Sequence, residues 1–378
     1  MQLELFRRQR SLRPDLLIVI PYLLLAALGI LMIYAASAPR LELLGLDPGY
    51  DMRRQVVFVV LGIVAFGIGS LLAGRRLRPL IPLAYLGSIV LLIAVFPFGR
   101  TGGGAQRWID FGPFDLQPSE VAKVAVILAT ALVLSRSGED RVSGREILIT
   151  LAIGAIPAVL IFLQPDLGTM LVFGFIAVTM LFVAGSSFRQ IGGLVLAAVV
   201  GAVVVLRLDI LQDYQLDRLT AFLDPASSEL AANYNVAQSV TAIGSGGMFG
   251  KGIFGGSLTN LSYVPQQATD FIFTAIAEQL GFIGAVLTLA LFAVILWRLL
   301  AIAALTRDPI GRLLVAGVAA LIAFHVFVNI GMTVRLVPAT GLPLPFVSYG
   351  GSSFLVMSFA LGLAHAVWIH RSPVPEGR

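Results

Sequence analysis

LLIVIPYLLLAALGILMIYAA, residues 16–36, runs for twenty-one residues without a charge. Crossing the hydrocarbon core of a bilayer as an α-helix takes roughly 20 apolar residues, so the stretch reads as a membrane span. It is longer than the roughly 7–15 residues of a signal-peptide core, and no small-residue cleavage site follows it, so it is expected to stay as the first span. Nine further apolar runs follow at 55–73, 79–97, 118–135, 147–163, 168–186, 190–207, 270–297, 313–334 and 349–369. The composition agrees: 58% hydrophobic residues, 12% charged residues and a mean hydropathy of +0.92 lie far from soluble domains. The expected fold is an all-α integral membrane protein, a bundle of about ten transmembrane helices. It forms a single membrane domain over 1–378, with one large polar loop, 208–269, between spans seven and eight.

Loops rich in Lys and Arg are retained in the cytoplasm. One set of alternate loops, which includes both tails together with Arg78, Arg136, Arg298 and Arg312, holds sixteen such residues. The other set holds nine, several of them in the long loop, where the rule has little force. Both termini are therefore expected in the cytoplasm and 208–269 outside. The net charge of +5 is then a retention signal, not a nucleic-acid patch, and no nucleic-acid role is expected. The absence of cysteine excludes disulfides and thiolate sites, and His325, His365 and His370 lack metal-ligand spacing.

With this topology the even-numbered spans begin at the outer face, where each helix presents the positive end of its dipole. The unusual residues gather at those ends. Span four begins with Gln117, Pro118, Ser119, Glu120 and Lys123, and span six follows Gln164, Pro165, Asp166, Gly168 and Thr169. Span eight opens at Thr269 and Asp270, and span ten follows Pro343, Pro345 and Ser348 through Ser353. Four helix starts with nearby Arg and Lys side chains suit one anionic ligand at the outer surface.

Each piece also has a purely structural reading. Asp270 is either a helix N-cap or a catalyst. Glu120 and Lys123, three apart, either pair within the helix or contact ligand. Glu278 lies eight residues beyond Asp270 and must be protonated, paired or facing water, with Lys123 as one candidate partner. The seven glycines between Gly244 and Gly256, interrupted by Lys251, form a phosphate cradle or a tightly turned loop; phosphate-loop spacing is missing. Trp108 is an interfacial anchor or a substrate platform. Within 208–269, Tyr214, Leu216, Leu219 and Phe222 alternate with Asp213, Asp217, Arg218 and Asp224, which predicts short amphipathic helices lying on the membrane.

Together these blocks resemble the SEDS family (shape, elongation, division and sporulation), membrane polymerases of bacterial peptidoglycan. The match spans nearly the whole chain: Arg107 and Trp108, Gln117 to Glu120 and Lys123, Gln164 to Thr169, Gln238, Ser239, Ala242 to Gly247, Gly250 to Gly252, Pro265, Thr269 to Phe273, Glu278, Gly281, Asn329, Gly331, Met332, Pro338, Thr340, Gly341, Pro343, Pro345, Phe346 and Ser348 to Ser353. The Ala242–Gly247 run, Gly250-Lys251-Gly252 and the short tails are similar to the rod-shape, elongation branch; the alternative is the division-type branch. One departure is that Gln266, Gln267 and Ala268 precede Thr269, where relatives more often carry a Glu and a basic residue or histidine. It bears on the charge tuning of Asp270.

The resemblance implies a bacterial inner-membrane glycosyltransferase that polymerises a lipid-linked disaccharide-peptide, lipid II, into glycan strands during elongation. The β-1,4 link forms from an α-linked donor, an inverting displacement, with Asp270 carried over as the catalytic residue and general base. For the departing lipid pyrophosphate the candidates are Lys123, Arg107 and Arg218, then Arg335 and Lys251. Glu120, Asp166, Glu278, Ser348 and Ser352 complete the candidate substrate-binding set. A divalent cation, Mg or Mn, with Asp270 or Asp166 as oxygen ligand, stays open beside a reaction with no cofactor. The implied partner is a class B penicillin-binding protein, a transpeptidase. The rival readings are a transporter that flips the same lipid and a scaffold for the transpeptidase.

Overall fold

The structure, a computed structural model, describes residues 14–72, 77–102, 105–112, 114–136, 142–208, 213–223, 231–260 and 266–370. The tail arginines, Arg75, Arg76, Arg141 and Asp224 lie outside the described residues. Each of the ten apolar runs is a helix. They are α1 (Leu16–Leu43), α2 (Tyr50–Leu71), α3 (Ile81–Phe98), α4 (Pro118–Leu134), α5 (Gly144–Phe162), α6 (Leu167–Val183) and α7 (Phe188–Arg207), then α11 (Ile272–Leu305), α12 (Pro309–Thr333) and α13 (Gly351–Ile369). Eight helices among the described residues are long and apolar enough to cross a membrane. The other two, α4 and α6, have 17 residues each, and their starts carry Glu120, Asp166 and Thr169 of the site.

Of the eight long apolar helices, α12 is the most buried, and it packs against α4, α6, α11 and α13. Between α7 and α11 the chain forms α8 (Asp213–Leu223), α9 (Ala231–Ser245) and α10 (Ser257–Asn260). Short helices were expected here, but α9 does not simply lie on the membrane. It docks on α11 and α12 and buries Ser239 and Ala242.

The all-α expectation needs one addition. Between α3 and α4 the chain forms a small antiparallel sheet, β1 (Arg100–Gly102), β2 (Ala105–Asp110) and β3 (Asp115–Leu116), in the order β1-β2-β3. Arg100 pairs with Trp108 and Ile109 with Leu116. This polar, glycine-broken linker satisfies its backbone by pairing with itself.

The 34-residue α11 is broken at Gly281, where φ is 68° and ψ is −165°. The glycine-rich loop fills the break. Lys251 N and Gly252 N donate to Glu278 O and Gln279 O at 3.0 Å, and Phe282 N donates to Gly247 O at 2.8 Å. Peptide groups that the break would strand in an apolar setting are thereby satisfied. Side chains are excluded at this crossing, because a Cβ on Gly281 would strike Gly250 N and a Cβ on Gly250 would strike Gln279 O. At the other end of the bundle, Asp15 caps α1 and accepts from Arg298 Nε at 2.5 Å, while its own N–H donates to His365 Nε2 at 3.0 Å. These contacts tie together α1, α11 and α13.

Candidate functional site

Two carboxylates stand just ahead of apolar helices and behave differently. Asp166 is the N-cap of α6, accepting from Thr169 N at 3.1 Å and Thr169 Oγ1 at 3.0 Å. Asp270 caps nothing: the N-cap of α11 is Phe271, and no side chain bonds the first turn. Its carboxyl instead enters a cleft of about 520 Å³ lined by Arg100, Arg107, Trp108, Glu120, Asp166 and Arg218. A second cavity of about 260 Å³, lined by Arg54, Phe58, Tyr349, Ser352 and Ser353, has Asp270 in its wall as well. Asp270 therefore lines both chambers, the first carrying the guanidinium groups of Arg100, Arg107 and Arg218 and the second that of Arg54.

Burial penalises the charged form of Asp270 and pushes its pKa from the ordinary 3.8 up to about 6. The charge of Arg218, the hydroxyl of Thr269 and the charge of Arg107 oppose the rise, and the charge of Asp166 adds to it. Such a group is ionised at neutral pH and still basic enough to accept a proton.

Sheet strand β2 and the α5–α6 link hold one wall. Arg107 Nε donates to Gln164 O at 3.1 Å, its terminal nitrogen bonds Pro165 O, and its guanidinium lies 3.7 Å from Asp166. Trp108 faces both chambers, which favours the platform reading over the anchor. Arg54 and Arg100 were not singled out by sequence reasoning. The available signal for Arg54 was its place at the start of span two, at the level of the other outer helix ends.

The structure brings together Asp270, Arg107, Arg218, Asp166 and Glu120 in the large cleft and puts Ser352 in the second chamber. Arg335 meets Arg218 in a small adjoining hollow, not in the cleft. Lys123 is wholly buried behind Glu120, donating to Glu120 Oε1 at 2.8 Å and to His325 Nε2 at 3.0 Å. The intrahelical pair is thus the geometry adopted, and Lys123 does not line the cleft.

Lys251 and Glu278 also lie away from the cleft. Glu278 takes Lys251 as its partner, not Lys123, with Lys251 Nζ at 3.1 Å. It accepts further from Leu258 N at 3.0 Å, Thr259 N at 2.9 Å and Thr259 Oγ1 at 2.5 Å. The glycine-rich loop is accordingly a clasp on α11, and the phosphate-cradle reading has no support in the geometry. Ser348 Oγ donates to Thr269 O at 2.5 Å and accepts from Leu344 N at 2.8 Å, so its hydroxyl serves the backbone and not a ligand.

Among the described residues no group of three or more His, Asp or Glu is arranged to hold a metal ion. With Asp166 engaged by Thr169 and Arg107, a divalent cation at this cleft would rely on Asp270 and on oxygens of the substrate, a mode that suits Mg²⁺ with phosphates.

A profile of the FtsW/RodA/SpoVE family, described as cell cycle protein, matches residues 15–372. The chain belongs to the FtsW/RodA/SpoVE family. It is 37% identical over 360 residues to the peptidoglycan glycosyltransferase MrdB of Escherichia coli, covering 95% of this chain and 94% of that one. It is 36% identical over 360 residues to stage V sporulation protein E of Bacillus subtilis, covering 93% and 95%. Among solved structures, it is similar to the rod shape determining protein RodA of Thermus thermophilus, with a TM-score of 0.71 and 30% identity over 96% of this chain and 98% of that one. A chain from a peptidoglycan synthase complex that coordinates polymerization and crosslinking gives a TM-score of 0.80 and 32% identity, covering 95% of this chain and 98% of that one. FtsW/RodA/SpoVE membership agrees with the resemblance read from the motif blocks, and the multi-pass helical fold agrees with it too.

Proposed function

We infer that this chain is a peptidoglycan glycosyltransferase of the inner membrane that polymerises lipid II, and that Asp270 is its general base. The observation that carries the reading is the uncapped, partly dry carboxylate in the wall common to two chambers that hold guanidinium groups. A transfer between two pyrophosphate-linked sugars needs that layout. Asp270 takes the proton from the acceptor hydroxyl, and the freed oxygen forms a bond to the anomeric carbon of the donor from the face opposite its pyrophosphate. The bond from that carbon to the phosphate oxygen breaks, and its electron pair leaves with the lipid pyrophosphate. Inversion of an α-linked donor gives a β link. Arg107, Arg218 and Arg100 on one side, and Arg54 on the other, supply positive charge where phosphate charge develops, in a site where exclusion of water strengthens it.

The similarity to MrdB and to RodA supports an elongation role, with the cleft opening at the outer surface. The similarity to a chain of a synthase complex supports a class B penicillin-binding protein as partner. The test is reconstitution of the full chain with that transpeptidase in liposomes carrying lipid II in both leaflets. The parent is expected to make glycan polymer. Asp270→Asn is expected to lose at least the roughly 10²–10⁴-fold that a general base contributes. Parental polymerisation by a folded Asp270→Asn variant refutes the assignment, and precursor moving between leaflets without polymer points to the transporter instead.

A further inference from the structure

Three consecutive carbonyl oxygens ahead of α11 each accept a hydrogen bond from a different part of the chain. Ala268 O accepts from Tyr349 N at 2.9 Å, Thr269 O from Ser348 Oγ at 2.5 Å, and Asp270 O from Asn329 Nδ2 at 2.8 Å. The amides are gathered in the other direction: the N–H groups of Thr269, Asp270 and Phe271 converge on Gln266 O at 3.2, 2.9 and 3.3 Å. This segment is neither helix nor strand, yet every main-chain group from Thr269 N to Asp270 O is satisfied.

Asn329 is wholly buried on α12 and cannot reach a ligand in the cleft. Its amide nitrogen also donates to Leu342 O at 2.8 Å, so both of its hydrogens hold main-chain carbonyls, one on each side of the Asp270 wall. Ser348 repeats the pattern, joining Thr269 O to Leu344 N. One turn below Asn329, His325 Nδ1 lies 3.1 Å from Pro343 O. A carbonyl can only accept, so Nδ1 bears the proton and Nε2 receives the Lys123 ammonium. The loop carrying Gly341 and Pro343, which line both chambers, is thereby docked to the same face of α12 as the start of α11.

We propose that Asn329 and Ser348 are positioning residues for the transfer reaction, clamping the Asp270 backbone against the 342–349 loop so that the carboxylate is held between the two chambers. The proposal rests on Asp270 being the base. A loop residue has no helix to fix the direction of its side chain, and a misplacement of about 1 Å can cost about 10²-fold in rate. Neither side chain is placed to touch substrate through the group it uses here: Asn329 is sealed from the cleft, and Ser348 has its hydrogen on Thr269 O.

The experiment measures kcat, KM for lipid II and the pH profile of kcat in the reconstituted complex for the parent, Asn329→Ala, Ser348→Ala, Ser348→Thr and Asp270→Asn. Thermal unfolding of each variant is followed in parallel. Asn329→Ala and Ser348→Ala are expected to lower kcat about 10–100-fold with KM within about threefold of the parent. They should also move the acid limb of the profile, because opening the clamp changes how dry the carboxylate is. Ser348→Thr, which keeps the hydroxyl, is expected to retain kcat. Should Asn329→Ala fail to fold, the Ser348 pair decides alone. Parental kcat in folded Asn329→Ala and Ser348→Ala, or a loss that follows lowered unfolding temperature with the acid limb unmoved, overturns the clamp. A parental rate in Asp270→Asn overturns the base assignment itself, a separate outcome.

Discussion

With the Asp270 carboxyl held at about 6, polymerisation is expected to fall as pH drops through 6, the proton occupying the oxygen that must receive the next one. The same shift predicts a stability effect of definite sign. The folded chain binds this proton more tightly than the unfolded chain, whose carboxyl titrates near the ordinary 3.8. Stability contributed by the proton is therefore complete below about pH 4 and lost as pH rises through 6. Asp270→Asn removes the ionisation, so at pH 8 it should be more stable than the parent by on the order of 1–3 kcal/mol and unfold at a higher temperature, and the advantage should shrink towards pH 4. A variant less stable than the parent at pH 8 would mean that the ionised carboxylate is well paired after all. Position ahead of an apolar helix does not separate Asp270 from Asp166, since both share it; the family resemblance alone assigns Asp270 the catalytic role. The difference lies in the chain direction at each start: Asp166 turns its carboxylate onto Thr169 N, whereas Phe271 intervenes before α11 and leaves Asp270 facing the cleft.

The element that departs furthest from a plain span is α11 with its clasp. All ten helices were legible because lipid-soluble helices need unbroken apolar runs, and α12 and α13 begin and end within a few residues of the expected bounds. The break at Gly281 was not legible, because a single glycine in an apolar run is ordinary, and its cause lies thirty residues away in Gly247 to Gly252. Lys251 and Glu278 read as ligand groups for the same reason: their pairing is tertiary. The clasp makes an ordered prediction. Glu278 accepts three hydrogen bonds from Leu258 and Thr259 besides the one from Lys251, whose side chain is 29% exposed. Glu278→Gln puts donors against donors and is expected to destabilise by about 1–3 kcal/mol. Lys251→Met leaves the other three bonds intact and is expected to lose less than about 1 kcal/mol, as partly exposed ion pairs do. Thermal unfolding in detergent ranks the two; equal losses would assign the clasp to the ion pair and not to the backbone donors.

At the scale of the whole molecule the function depends on which end of the bundle faces outward, and the helix dipoles and the cations bear on it from different directions. The starts of α4, α6 and α11 and their polar residues gather around the cleft, while Arg78, Arg136, Arg298, Arg307 and Arg312 stand where α3, α4, α11 and α12 begin or end away from it. Retention of positive loops predicts those arginines in the cytoplasm and the cleft outside. A chain without cysteine allows this to be read directly. Phe111, 53% exposed beside β2, marks the cleft end, and exposed Arg307, between α11 and α12, marks the other. In spheroplasts, a membrane-impermeant maleimide is expected to label Phe111→Cys without permeabilisation and Arg307→Cys only after it. Both positions lie outside the cleft lining, so each variant can be required to keep polymerase activity before it is scored. The reverse pattern would put Asp270 on the cytoplasmic side, where a glycan strand joined there could not reach the wall, and no choice of base or cation could then rescue the proposed reaction.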